Sequence, residues 1–281
     1  MDATRTAELP VTAADGHRFE LQARLPERAC ARLLWLPALG VSARHYLPFA
    51  DALAARGVAV FVHEWRGHGS SNARASRGCD WGYRELLDDI HASEAAADAL
   101  ASTSRRILGG HSLGGQLACC RIGLDPHAAA ALWVVASGTP YWRCFPQGKR
   151  WWLPLAYRFL PWLARLVGHL PGRRIGFGGN EAARVMADWA RSGLSGHYRP
   201  SGFDADLEAG MARYAGHMRG IAFADDWLGP MAALRHLADK LPQARIDLKT
   251  LNARQLNVRA DHYGWMQQPD AVVAALVDLE W

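Results

Sequence analysis

Val58-Ala59-Val60-Phe61-Val62 is apolar at every position. A strand with one face in water alternates polar and apolar residues, so an unbroken run must be covered on both faces. The same signature recurs in Arg32-Leu33-Leu34-Trp35-Leu36, closed by Pro37, in Arg106-Ile107-Leu108, and in Ala130–Ala136. Segments with helical spacing lie between these runs. Ala43–Ala55 reads as a helix stopped by Gly57. Tyr83–Ala101 sets Tyr83, Leu86, Leu87, Ile90, Ala97 and Leu100 on one face, with the small Ser93 among them. Ser112–Cys120 reads as a further helix, entered abruptly. Doubly buried strands alternating with helices predict an α/β protein with a mostly parallel sheet covered on both sides.

The ends of the chain fit that frame. Glu8–Thr12 and Arg18–Ala23, joined by Ala14-Asp15-Gly16, read as a hairpin that adds an antiparallel edge. After Ala136 the alternation stops, and it resumes with a strand at Met218–Phe223. A helix at Met231–Leu241, a strand at Arg245–Leu251 and a helix at Pro269–Leu279 complete it. The block Thr139–His217 therefore reads as an insertion on a core of residues 1–138 and 218–281. A chain of 281 residues, half of them hydrophobic and 21% charged, can build such a core and is not disordered.

Several classes are excluded on composition. No apolar run reaches the length of a membrane-spanning helix, and Met1–Pro10 lacks the apolar stretch of a secretory signal. The five cysteines (Cys30, Cys79, Cys119, Cys120, Cys144) show no CxxC spacing, so neither a disulfide framework nor a zinc site is expected, and the cytoplasm is the expected compartment. No histidine pair has metal-ligand spacing on a helix, and no glycine-rich phosphate loop sits on a strand–helix turn. No metal, cofactor or nucleic acid is expected. The net charge of +5 is mild, but it is unevenly placed. Pro126–Asn180 contains no Asp or Glu and seven cations: Arg143, Lys149, Arg150, Arg158, Arg165, Arg173 and Arg174.

Chemistry enters at Gly110-His111-Ser112-Leu113-Gly114, a G-x-S-x-G between a short strand and a helix. A serine nucleophile presented on a strained strand-to-helix turn needs small neighbours, because any side chain there would clash. Such a serine also needs a base and an orienting acid, which in this architecture follow it in the order acid, then histidine. Ala224-Asp225-Asp226-Trp227-Leu228-Gly229-Pro230 offers the acid, with Asp226 preferred to Asp225. His262, which follows the last strand, is the expected base. Asp261 beside it is read as a loop-bonding residue. Backbone N–H groups of Leu113 and of Leu39, in Leu36-Pro37-Ala38-Leu39-Gly40, are expected to hold an oxyanion.

With these residues in view, the chain resembles the α/β-hydrolase family. Pro37-Ala38-Leu39-Gly40, Gly110–Gly115, Asp226–Pro230 and His262 carry the likeness. So does Glu64-Trp65-Arg66-Gly67-His68-Gly69-Ser70-Ser71, which resembles the family's D-x-R-G-x-G-x-S turn with Glu64 in place of Asp. It covers the chain from about residue 30 to the end, apart from the middle insertion. The nearest branch is similar to bacterial hydrolases that read P-A-x-G rather than H-G at the oxyanion loop. Leu170-Pro171-Gly172 and Trp189-Ala190-Arg191 also look like that branch. The resemblance implies an eight-stranded sheet, with residues 139–217 forming a helical cap after the sixth strand, over the serine. His68 and His111 fill positions where the family often has histidine and are read as structural.

Within the insertion, Pro154 and Pro161 are expected to break the chain into short helices. Trp142, Trp151 and Trp152, with Trp227 and His111, are the candidate pocket residues. The expected activity is hydrolysis of a carboxylic ester or thioester with an apolar acyl part, through Ser112, His262 and Asp226. Acyl transfer on the same residues and a non-catalytic binding protein are the alternatives. The basic aromatic stretch is expected to favour an anionic substrate such as an acyl-coenzyme A, or to meet an anionic membrane surface, at the inner membrane face, or an acidic acyl carrier protein.

Overall fold

The computed structural model describes residues 4–101 and 105–277. Eight strands form one sheet: β1 (Arg5–Thr12), β2 (Arg18–Leu25), β3 (Ala31–Leu36), β4 (Val58–Val62), β5 (Arg106–His111), β6 (Ala131–Val135), β9 (His217–Phe223) and β10 (Arg245–Leu251). Their spatial order is β1-β2-β4-β3-β5-β6-β9-β10. Every pairing from β4 onward is parallel, and β2 is antiparallel to both its neighbours. Two-residue strands β7 (Leu170–Pro171) and β8 (Asn180–Glu181) make a separate small ladder.

The unbroken apolar runs are explained by the two cores. Leu33 and Trp35 of β3 face one side with Val58, Val60 and Val62, against α1 (Leu47–Ala54) and the last helix. Leu34 and Leu36 face the other, with Phe61, under α2 (Tyr83–Leu100) and α3 (Leu113–Leu124). Period-two side chains on a strand covered on both faces favour apolar residues at every position, and the buried Arg32 of β3 is paired with Asp98. Each fully buried Val, Leu or Phe contributes about 1.5–3 kcal/mol.

Several boundaries differ from those read in the sequence. Ala43–Tyr46 is a 3-10 turn, and the α-helix begins only at Leu47, with Pro48 in the first turn, where its missing N–H has no acceptor to lose. β5 runs on through Gly109 and Gly110 to His111. A Cβ at Gly109 would lie 2.6 Å from the Trp133 carbonyl oxygen, so glycine allows that close approach. Leu279 of the expected closing helix lies outside the described residues.

Between β6 and β9 come α4 (Gln147–Arg150), α5 (Leu153–Val167), α6 (Gly172–Ile175), α7 (Ala183–Ser195) and α8 (Leu207–Met211). Pro154 and Pro161 do not break this block as expected. Pro154 sits in the first turn of α5, and Pro161 is inside the same helix. Leu153, Tyr157, Pro161 and Ala164 form its buried face, so packing holds the helix through the lost donor. The ring of Tyr157 presses on α7 so closely that a Cβ at Gly193 would lie 2.5 Å from it. α8 packs on α3, where a Cβ at Gly210 would meet the Gly123 carbonyl at 1.8 Å. Downstream, α9 (Met231–Ala238) ends before Leu241, α10 (Ala253–Leu256) is short, and α11 (Asp270–Val277) closes the described chain.

A buried ionic network ties the hairpin to this core. Arg66 Nε and Nη2 donate to Asp89 at 2.7 and 2.8 Å, and Arg66 Nη1 meets Asp15 at 2.7 Å. His17 Nδ1 lies 3.1 Å from Asp89, and His17 Nε2 is 2.8 Å from Ser71 Oγ. The Arg66 guanidinium holds the Asp15 carboxyl below its usual range. Arg66→Ala would leave Asp89 buried without its cation, so it should lower the unfolding free energy by about 3–5 kcal/mol in urea titration. A loss under about 1 kcal/mol would show that the network does not hold the hairpin.

His63 lies fully buried beside it, with Nδ1 2.9 Å from Ser93 Oγ. Burial pushes its imidazole pKa down to about 3. The unfolded chain binds that proton near pH 6.5 and the folded chain does not, so stability falls as pH drops below about 6.5. Relative to a His63→Gln variant, the protein should lose about 1.4 kcal/mol between pH 7.5 and pH 5.5. Urea midpoints at the two pH values check this, and parallel pH dependence of the two proteins would refute it.

Candidate active site

The site forms where β5 turns into α3. Ser112 sits between them at φ 54°, ψ −118°, a left-handed conformation that is costly for a residue with a side chain. Three close approaches enforce it. A Cβ on Gly114 would lie 2.0 Å from the Leu36 carbonyl oxygen, and one on Gly110 would lie 2.3 Å from the Gly114 carbonyl carbon. A Cβ on Gly115 would strike Ser137 Oγ at 2.5 Å. Hydrogen bonds complete the clamp: Ser112 N–H donates to Val135 O at 3.1 Å, and Ser137 Oγ donates to Ser112 O at 2.6 Å.

The acid and the histidine come from the next two loops. Asp226, after β9, is buried, while Asp225 beside it is exposed and its amide donates to Ala260 O. One Asp226 oxygen accepts from the Leu228 and Gly229 amides at 2.8 and 3.1 Å. The other lies 2.7 Å from Nδ1 of His262. With Nδ1–H donating to the carboxylate, the second ring nitrogen is left as a proton acceptor. Asp261 bonds the Tyr263 and Gly264 amides and shapes the turn that carries His262.

Ser112 and His262 line one cavity of about 530 Å³. Leu39, Leu113, Trp152 and Trp227 line it too. The Leu39 and Leu113 amides have no protein acceptor among the described residues. Leu113 opens α3, where the helix dipole favours negative charge.

Three of the candidate pocket residues lie elsewhere. His111 is fully buried behind the serine, with Nδ1 2.9 Å from the Tyr46 hydroxyl and its ring 4.8 Å from that of His262. Burial next to His262 holds its imidazole well below the usual range, hence neutral. Trp142 packs with Phe145 and Tyr157 under the Arg143 guanidinium, and Trp151 is 69% exposed. His111 ends β5, Trp142 lies in a 3-10 turn and Trp151 follows α4, and none of the three lines the cavity.

Other features of the site were not legible in the sequence. Tyr46 accepts from the Ala38 amide at 2.9 Å, so one hydroxyl links the Leu39 loop to His111 at the elbow. Trp65 Nε1 holds the same loop through Pro37 O at 2.9 Å. Glu64 accepts from the Ala43 amide at 3.1 Å, which ties the loop after β4 to the turn before α1. Phe159, Phe177, Trp189 and Tyr263 complete the apolar wall. Nothing in spacing alone marks them, because they arrive from four different segments. Among the described residues, no group of three or more His, Cys, Asp or Glu side chains could hold a metal ion.

Comparison with known proteins agrees with this architecture. A hydrolase from Pseudomonas aeruginosa PA01 superposes with a TM-score of 0.65 at 19% identity, covering 96% of this chain and 97% of its own. A structure from a study of carboxylesterases of Nitrososphaera gargenis gives 0.62 at 16% identity, with 96% of each chain covered. Est1E from Butyrivibrio proteoclasticus, with ferulic acid bound, gives 0.61 at 14%, covering 95% of this chain and 97% of its own. No curated protein matches the sequence. The family model for serine aminopeptidase, S33, matches residues 27–187. Because that match runs over more than half of the chain, the protein belongs to the serine aminopeptidase S33 family, and its fold is that of the α/β hydrolases.

Proposed function

We propose that the protein is a serine hydrolase that cleaves a carboxylic ester or thioester with an apolar acyl part. The observation that carries this reading is the Asp226–His262 couple, 2.7 Å apart, opening with Ser112 onto one apolar-walled cavity. Ser112 Oγ attacks the carbonyl carbon and His262 takes its proton. Asp226 orients the ring and stabilises the imidazolium that forms. The Leu39 and Leu113 amides hold the oxyanion. His262 then protonates the leaving alcohol or thiol, and water, activated by the same ring, releases the acid. Residues 139–217 act as the cap that keeps water from the acyl group, over a core of residues 1–138 and 218–281.

The family description includes aminopeptidases, and cavity chemistry favours an ester instead. Binding a free α-ammonium out of water calls for a carboxylate close to it. Among the described residues, no Asp or Glu lines this cavity. An apolar chain needs no such partner and gains from each buried methylene.

A fluorophosphonate should add once to the wild-type protein and not to Ser112→Ala, read by intact mass. On nitrophenyl esters Asp226→Asn should lower kcat by about three to four orders of magnitude. Asp225→Asn should stay within about twofold, since that side chain faces solvent. Aminoacyl anilides should be poor substrates beside acyl esters. The reading fails if the anilides are preferred, or if the folded wild type takes no adduct.

A further inference from the structure

Helix α5 is apolar on two opposite faces. Its inner face, Leu153, Tyr157, Pro161 and Ala164, is buried against α7. Its outer face continues a stripe, Trp151, Leu155, Phe159, Trp162 and Leu166, in which every residue is more than half exposed. Such spacing keeps all five on one side of the helix. A soluble helix turns charge outward, so a stripe of this size marks a surface that something covers.

The surrounding charge identifies what covers it. Arg158 and Arg165 flank the stripe on the same helix, and Lys149, Arg173 and Arg174 are exposed on neighbouring turns. No Asp or Glu occurs from Pro126 to Asn180. A second copy of this chain would bring like charges together across the contact. An acidic carrier protein would answer the cations and leave the tryptophans in contact with a polar surface. An anionic bilayer answers both, because its headgroups meet the arginines while the tryptophans and leucines enter the acyl boundary.

The stripe is also continuous with the cavity. Trp152, Phe159 and Ile175 are 43%, 52% and 46% exposed, and all three line the space that contains Ser112. We propose that α5 and its flanks dock on an anionic phospholipid surface, so that an amphiphilic ester passes from the bilayer past Phe159 to Ser112 without crossing water. The substrate part of this inference rests on the proposed hydrolase activity; the docking part does not.

The test is flotation with phosphatidylcholine vesicles, with and without phosphatidylglycerol, at low and high salt. Wild type and Ser112→Ala should both float with the anionic vesicles, and binding should fall in salt and without phosphatidylglycerol. Leu155→Ser/Trp162→Ser/Leu166→Ser and Arg158→Glu/Arg165→Glu should each lose about tenfold or more in binding. None of these five side chains lines the cavity. Turnover of a short soluble ester should therefore stay within about twofold, while turnover of a long-chain ester held in anionic vesicles should fall with binding. Thermal melts establish that the variants are folded, as exposed positions lead one to expect.

The docking is overturned if wild type stays in solution or binds neutral and anionic vesicles alike. It is also overturned if the variants bind as well as wild type. Self-association lost in the Leu155→Ser/Trp162→Ser/Leu166→Ser variant, or capture by purified acyl carrier protein, without vesicle binding, would assign the face to those occupants instead. Fluorophosphonate labelling without vesicles reads the chemistry alone, and flotation of Ser112→Ala reads docking alone, so failure of one is not mistaken for failure of the other.

Discussion

The close approach of α3 to the ends of β3 and β5 is the constraint on which the site depends. Gly114 meets the Leu36 carbonyl where no Cβ would fit, and Gly110 meets Gly114 in the same way. Two consequences follow from one contact. Ser112 is held in a backbone conformation it would not choose, which lifts its hydroxyl to the top of the sheet. The loop after β3, with Leu39, is brought beside the start of α3, so residues far apart in sequence line one cavity. Strain at the serine is tolerated because the surrounding strands are buried on both faces and cannot give way.

Rigidity of that kind has to be supplied from further out. Tyr46 links the Leu39 loop to His111 through one hydroxyl, and the neutral His111 ring packs behind His262. The Arg66–Asp89 pair locks the loop after β4 to α2 and, through Asp15 and His17, to the opening hairpin. These contacts lie outside the cavity and set the positions of the loops that line it, and their buried charges make them sensitive to the loss of any one member. The block between β6 and β9 is built differently, on one packed helix face and one open face. Its sequence had room to collect cations and aromatics that a core segment would exclude.

Much of this was legible along the chain. Doubly buried strands announce themselves as apolar runs, so β3, β4 and β6 are legible nearly to the residue, and β9 is legible despite its buried Arg219. The elbow was legible because its glycines and serine are adjacent in sequence. Asp226 was preferred over Asp225, and the structure buries the first and exposes the second. Pro161 misled, since a helix end is inferred from a missing N–H while the packing of Tyr157 and Ala164 decides whether the helix continues. The pocket misled for a related reason. Trp151 and Trp152 are neighbours, yet one faces away and the other lines the cavity.

The sequence by itself determined the alternation of strands and helices, the elbow, and the order of serine, acid and histidine. Each of these is written in contiguous residues or in a period along the chain. Only the tertiary structure decided which side chains form the cavity wall, which hydroxyl joins the Leu39 loop to His111, and which face of α5 is left open. Those depend on where separate segments meet, and the distance between two segments is a property of the packed fold, because many chains with the same local pattern could pack their helices at other angles.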